Sequence, residues 1–190
     1  MSHFSNVTLF VFPSMPTAKV VDRVHDVWLQ HQFHIEYGYS CSWIRLSDIE
    51  TEDGDDYIFE SETIDLETEA DVSAALERLR QHPTGGYAEY TAIPWGLEQA
   101  DYGPYGTLVC FNSLDNKSIE YLSVFIRTEV YEQFQAVYDA VFKDIGFQLN
   151  PIATLNYMDY DLDDLSEEEI ARTIKAGKIS DFQQRKIRIL

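Results

Sequence analysis

The sequence is poor in basic residues and has no long apolar run, and each shortage excludes a class of protein. Lysine and arginine total 14 against 33 acidic residues, so the formal net charge is −19. Such a charge repels phosphate, which argues against binding nucleic acid or an anionic membrane. The early apolar run VTLFVF is too short to span a bilayer and lacks the basic flank of a signal peptide. We therefore expect a cytoplasmic protein without membrane contact.

Cysteine is scarce as well. Only Cys41 and Cys110 are present, which excludes a disulfide framework and a CxxC metal or redox pair. Both lie in apolar patterns typical of strands, where a thiol is buried and inert. No cofactor is expected on this basis.

The chain nevertheless has enough apolar material for a packed core, with 45% hydrophobic and 14% aromatic residues among 190. Its charge is unevenly distributed. Residues 1–170 carry 8 basic and 32 acidic side chains, whereas residues 171–190 carry six basic and one acidic. These features predict a single domain over residues 1–165, with a C-terminal helix and basic tail, residues 166–190, packing on it.

The hydrophobic pattern predicts an α+β protein with a mostly antiparallel mixed sheet and helices packed against it. The clearest strand is 33–43, where apolar and polar residues alternate strictly. Other strands are predicted at 7–12, 57–64, 87–93, 107–111, 121–127 and 147–157. Helices are predicted from about Thr17, over 68–80, and over 130–145 with Gly146 as a left-handed C-cap. A last helix should start at a capping box formed by Ser166 and Glu169, and end at Gly177.

Two segments of the sequence resemble each other weakly. VTLFVF, a helix and FHI parallel LSVFIR, a helix and FQL. A duplicated βαβ unit would explain the similarity. Chance resemblance between two α+β segments explains it too, and is the favoured interpretation.

The stretch SDIETEDGDDYIFESETIDLETEAD, residues 47–71, holds twelve carboxylates and no lysine or arginine. A calcium loop needs glycine at its sixth position and glutamate at its twelfth. Counting from Asp48, Gly54 falls seventh and Phe59 twelfth, so the pattern fails. The second cluster, Asp159, Asp161 and Asp163, contains no glycine. We therefore predict no metal site, and interpret both clusters as solvated surface or as a surface for a cationic partner.

Motifs for catalysis are missing from the sequence. His25, His31 and His34 are near one another but not at a spacing that would build a tetrahedral metal site. The sequence contains no GxSxG nucleophile motif and no phosphate-binding loop. Whether the protein is an enzyme stays open, and the sequence favours a protein that is not one.

The loop PWGLEQADYGPYG is the remaining candidate for a functional surface. Trp95, Tyr102 and Tyr105 lie in it among prolines and glycines. Tyrosine and tryptophan on loops often anchor protein contacts. A lid that folds back over the core is the structural alternative.

These features favour an acidic, non-catalytic binding protein, most simply a stoichiometric inhibitor of immunity or antitoxin type that docks on a basic, nuclease-like toxin. The expected partner-binding residues are Asp48, Glu50, Glu52, Asp53, Asp55, Asp56, Trp95, Tyr102, Tyr105, Asp159, Asp161 and Asp163. The alternative is a small-ligand-binding protein or enzyme with a sheet pocket lined by Tyr37, Tyr39, Trp43 and Trp95. A third possibility is a homo-oligomer in which the basic tail contacts an acidic patch on a neighbouring copy.

Overall fold

A computed structural model describes residues 5–35, 39–50, 57–81, 87–94, 107–114, 118–159, 165–182 and 188–189. For the strand residues 39, 40, 42–50, 57–62, 87–90, 94, 188 and 189, only the backbone is described. The strands are β1 (Ser5–Met15), β2 (Phe33–Ile35), β3 (Tyr39–Glu50), β4 (Tyr57–Leu66), β5 (Tyr87–Pro94), β6 (Thr107–Asn112), β7 (Ile119–Arg127), β8 (Ala153–Met158) and β9 (Arg188–Ile189). The α-helices are α1 (Thr17–Gln30), α2 (Glu69–Gln81), α3 (Thr128–Leu149) and α4 (Glu167–Lys175), and a 3₁₀ turn spans Ile179–Phe182.

All described strands belong to one sheet, and every strand pair in it is antiparallel. The strand order is β4-β3-β5-β6-β7-β1-β8-β9, with β2 pairing to β5. The prediction of an α+β protein with a largely antiparallel sheet and helices packed against it is confirmed.

Strand β1 is central because both of its faces are buried. Phe10 and Phe12 join a core with α1, α2 and α3, whereas Val7, Leu9 and Val11 join a second core with α4 and the 3₁₀ turn. Alternate residues of a strand point to opposite faces, so one strand that is buried on both faces serves both cores. Near β1 the sheet is therefore the middle of three layers.

The core under α1 and α3 is dominated by aromatic residues. Trp28 of α1 meets Phe33 with ring centroids 4.6 Å apart, and Tyr138 of α3 lies 5.4 Å from Phe33. The Tyr138 hydroxyl shares a 2.8 Å hydrogen bond with the Thr107 hydroxyl, so its buried polar atom has a partner. Burial raises the pKa of Tyr138. This cluster fixes both helices on the sheet.

The strand predicted over 33–43 is present in two pieces, β2 and β3, which pair with the same strand. Ile35 pairs with Ala92 and Ser42 pairs with Glu89. Seven residues from Ile35 to Ser42 therefore correspond to only three residues of β5. The alternation correctly predicted strand structure, but it did not predict this change of register between β2 and β3. Cys41 and Cys110 are buried, as expected for inert thiols.

The predicted end of α3 is wrong. The helix continues past Gly146 to Leu149, and Asn150 adopts the left-handed conformation with φ of 48°. Its backbone N–H donates to the Gly146 carbonyl oxygen at 2.9 Å. Leu149 is buried in the core, and its packing extends the helix beyond the glycine. Residues 147–149 are thus helical, and the strand predicted from 147 starts at Ala153.

The two segments that resemble each other in sequence both form strand-helix-strand units. In the unit β7-α3-β8 the two strands flank β1, so they run parallel. In the unit β1-α1-β2 three strands separate the two ends: β7, β6 and β5. The two units have the same order of elements, but their helices connect strands that are different distances apart in the sheet. The geometry therefore does not favour duplication over chance resemblance.

Candidate binding surface

The predicted partner-binding residues are only partly described. Asp48 and Glu50 lie in the last part of β3, and Asp159 directly follows β8. The other nine lie outside the described residues: Glu52, Asp53, Asp55, Asp56, Trp95, Tyr102, Tyr105, Asp161 and Asp163. The residues of the alternative aromatic pocket are only partly described as well. Tyr37 and Trp95 lie outside the described residues, and only the backbone of Tyr39 and Trp43 is described.

The fold separates Glu50 from Asp159. The strand partners Ile44–Tyr87, Tyr87–Asn112, Asn112–Tyr121, Tyr121–Val11 and Val11–Ala153 form a line across the sheet. Glu50 lies six residues beyond this line at one end of the strands, and Asp159 lies six residues beyond it at the other. At about 3.3 Å per residue, each of the two acids is roughly 20 Å from the line. Glu50 and Asp159 therefore lie at opposite corners of the sheet.

The corner at the end of β8 is the better described of the two. The backbone N–H of Ser5 donates to the Asp159 carboxylate at 2.9 Å, which attaches this acid to the start of β1. Two residues earlier, Tyr157 is buried, and the charge of Glu167 contributes to raising its pKa, after burial itself. The first turn of α4 therefore lies near the end of β8. We call Asp159 and residues 167–169 the acidic corner.

The first turn of α4 is built by local rules. The Glu169 N–H donates to the Ser166 hydroxyl at 3.2 Å, and the Ser166 N–H donates to the Glu169 carboxylate at 2.8 Å. This is the predicted capping box, which is confirmed. Three glutamates in the first turn and two basic residues in the last turn both complement the helix dipole.

The carboxylates of the acidic corner have defined partners. Arg172 donates to Glu168 from its Nη2 at 2.7 Å and from its Nε at 2.9 Å. Asp159 accepts a hydrogen bond from the Ser5 N–H, and Glu169 accepts one from the Ser166 N–H. The corner thus contains four carboxylates, Asp159 and three consecutive glutamates of α4.

Two tyrosines lie beneath α4. Tyr121 of β7 and Tyr157 of β8 are both buried in the second core. Burial raises the pKa of Tyr121, and the charges of Glu168 and Glu167 add to the rise. Among the described residues, the buried Tyr157 hydroxyl has no hydrogen-bond partner. Both phenols therefore stay protonated at neutral pH and contribute packing rather than charge.

A buried carboxylate at the other end of α4 was not found from the sequence. Glu120 of β7 is 6% exposed and forms an ion pair with Lys175 in the last turn of α4. It also accepts from the Leu114 N–H at 2.8 Å and from the Ser14 hydroxyl at 3.2 Å. These contacts hold α4 against the start of β7. The one sequence signal was an acid inside the apolar run IEYLSVFIR.

Of the three histidines singled out in the sequence, His25 lies in α1, His31 directly follows it, and His34 lies in β2. His31, just after α1, lies 2.7 Å from the Asp144 carboxylate of α3. Burial, and then the nearby charge of Arg80, lowers the pKa of His25. Arg80 of α2 contacts Asp22 of α1 at 2.5 Å. Within the described ranges, no group of three or more His, Cys, Asp or Glu side chains could hold a metal ion.

No helix in the described part of the chain is long and apolar enough to cross a membrane. No protein-family model and no curated protein matches the sequence. Among solved structures, the chain is similar to the Pseudomonas aeruginosa T6SS protein PA0821, with a TM-score of 0.40 and 9% sequence identity. The similarity covers 82% of this chain and 40% of that protein, so this chain spans less than half of its length.

Proposed function

We propose that this protein is an acidic, non-catalytic binding protein that docks on a basic protein partner through the acidic corner. The observation that supports this most directly is that three glutamates of the first turn of α4 and Asp159, at the end of β8, belong to two elements that pack in the same core. A surface of this kind attracts a cationic surface over a distance and speeds their encounter. The net charge of −19 acts in the same direction.

The biochemical class that suits this surface best is a stoichiometric inhibitor of immunity or antitoxin type. Its target would be a nuclease-like toxin whose cationic site normally holds phosphate. Carboxylates can fill such a site in place of phosphate, because both present negatively charged oxygen acceptors to Arg and Lys. Inhibition then needs no chemistry by this chain.

A single partner footprint does not reach both Glu50 and Asp159. A standard interface buries about 800 Å² on each partner, which is a patch roughly 30 Å across. Glu50 and Asp159 lie at opposite ends of their strands, each roughly 20 Å from the middle of the sheet, and are separated by five strand spacings. We therefore assign the docking role to the acidic corner rather than to Glu50.

The test begins with capture of basic proteins from the lysate of the source cells. Each captured candidate is then purified, and its binding to this protein is measured by calorimetry at low and moderate salt. We expect one partner at 1:1 stoichiometry, bound more weakly as salt rises. Glu167→Gln with Glu168→Gln in the acidic corner should lower the association rate about tenfold.

The matched control removes the same charge elsewhere. Asp26→Asn with Glu132→Gln changes two exposed acids on α1 and α3, far from α4 in the fold. This variant should bind like the wild type. An equal decrease in the association rate of both variants would mean that only the overall charge of the protein matters. If no basic partner binds, or the corner variant binds unchanged, the proposal fails. Thermal stabilisation by a small metabolite would then favour the aromatic-pocket alternative.

A further inference from the structure

The sheet ends in two strands of opposite charge. β4 has ten residues and lies at one edge, and β9 lies at the other. Within the described chain, each of them pairs on one side only, β4 with β3 and β9 with β8. An unpaired strand edge presents backbone N–H and C=O groups that can pair with another strand.

The sequence of β4 is acidic. It contains Glu60, Glu62 and Asp65 without a basic residue, and Glu67 follows it. Asp65 and Glu67 are exposed to solvent. β9 carries one basic residue, Arg188, and no acidic residue. Opposite charges on paired strands stabilise the pairing, and like charges oppose it.

Strand direction supports the same pairing. Neighbours in the order from β4 to β9 are antiparallel at every step, and this path holds eight strands. β4 and β9 therefore have opposite senses in the sheet. A second copy that is placed at this edge and rotated to continue the twist of the sheet sets its β9 antiparallel to β4. This arrangement continues the antiparallel pattern from one copy into the next.

We propose that copies of this chain associate head to tail, with β9 of one copy pairing along the β4 edge of the next. The contact is heterologous, since each copy offers two different edges. Pairing of two β4 edges would oppose acid to acid, and pairing of two β9 edges would oppose base to base. β9 is short, with two residues, so the association is weak and depends on concentration. The contact is separate from the acidic corner.

The test measures the molar mass in solution by sedimentation, up to about 1 mM protein, the weak end of specific affinities. The wild type should exceed the monomer mass of 22.0 kDa as concentration rises, and return towards it as salt is added. An acid-to-base variant of the first edge carries Glu62→Lys, Asp65→Lys and Glu67→Lys. A base-to-acid variant of the second edge carries Arg188→Glu. Each variant alone should stay monomeric.

Mixing the two variants is the decisive measurement. In the mixture, both edges of one variant carry the charge opposite to both edges of the other variant. The two variants can therefore pair, and the molar mass should rise again to that of the wild type. A control with Asp26→Lys, Glu77→Lys and Glu132→Lys changes exposed acids on the helices and should associate like the wild type. A wild type that stays monomeric throughout would overturn the proposal and indicate that the β4 acids protect the edge. A mixture without added mass would overturn it too.

Discussion

Glu120 at the start of β7 and Lys175 in the last turn of α4 form an ion pair across 55 residues of sequence. The carboxylate is nearly inaccessible, whereas the Lys175 side chain is 24% exposed. Glu120 also holds the backbone of Leu114 and the hydroxyl of Ser14. One buried side chain thus connects α4, β1 and the segment before β7. It fixes the end of α4 that lies opposite the acidic corner.

Replacing Glu120 should therefore destabilise the protein. Glu120→Ala removes the acceptor of a buried N–H and the partner of Lys175, and we expect a loss of about 2–3 kcal/mol in the free energy of unfolding. Glu120→Gln keeps an oxygen acceptor and should lose about half as much. Urea unfolding measures both. The control Lys178→Met changes an exposed lysine near the end of the same helix and should stay within about 0.5 kcal/mol of wild type. A neutral Glu120→Ala would contradict the structural role.

The capping box makes a second prediction, on the acidic corner itself. Ser166→Ala removes the hydroxyl that accepts from Glu169, and should cost about 1 kcal/mol. The loss should concentrate in α4, so amide exchange of its backbone should accelerate more than exchange in β1. Ser180→Ala, an exposed serine in the 3₁₀ turn, is the matched control and should change neither. Uniform acceleration over all elements would indicate global destabilisation instead.

Local patterns in the sequence were sufficient for most elements of the fold. The capping box at Ser166 and the alternation from Phe33 were readable because each depends on neighbours in sequence. The end of α3 could not be predicted in this way, because burial of Leu149 outweighed the local preference for glycine at a helix end. Phe134 was expected in a regular helix, yet its φ of −117° and ψ of 22° mark a kink.

The candidate surfaces were harder to predict. The two acidic clusters are visible as composition, but the separation of Glu50 from Asp159 depends on the strand order, which places β3 and β8 near opposite edges. The ion pair of Glu120 depends on packing between elements distant in sequence, and an acid inside an apolar run does not identify its partner. The charge of each strand is visible in the sequence. Only the sheet order shows which strands lie at the edges of the sheet.

A third prediction concerns backbone strain between α1 and β2. Gln32 has a φ of 62°, a conformation that costs most residues about 1–2 kcal/mol and glycine almost nothing. Gln32→Gly should therefore stabilise the protein by about 0.5–1 kcal/mol, after the entropy that glycine adds to the unfolded chain. Gln30→Gly, in the last turn of α1, should instead destabilise by a similar amount. Thermal unfolding of both variants gives the comparison. Loss of stability in Gln32→Gly would show that the glutamine side chain matters there.

His25 makes the last prediction, on pH dependence. Burial and the charge of Arg80 lower its pKa below the ordinary 6.5, against a smaller opposing effect of Asp26 and Asp22. The unfolded chain then binds a proton at higher pH than the folded protein does. The free energy of unfolding should fall as pH drops below about 6.5, and should level off below the folded pKa.

The measurement is urea unfolding between about pH 8 and 5, with the imidazole of His25 titrated by NMR. His25→Gln should reduce the slope in this range, since its side chain binds no proton. Arg80→Gln removes a charge that disfavours the imidazolium, so it should raise the pKa of His25 towards its ordinary value and also reduce the slope. Because Arg80→Gln breaks the contact with Asp22 as well, its absolute stability should fall while its pH dependence weakens. An unchanged slope in His25→Gln would assign the pH dependence to other groups.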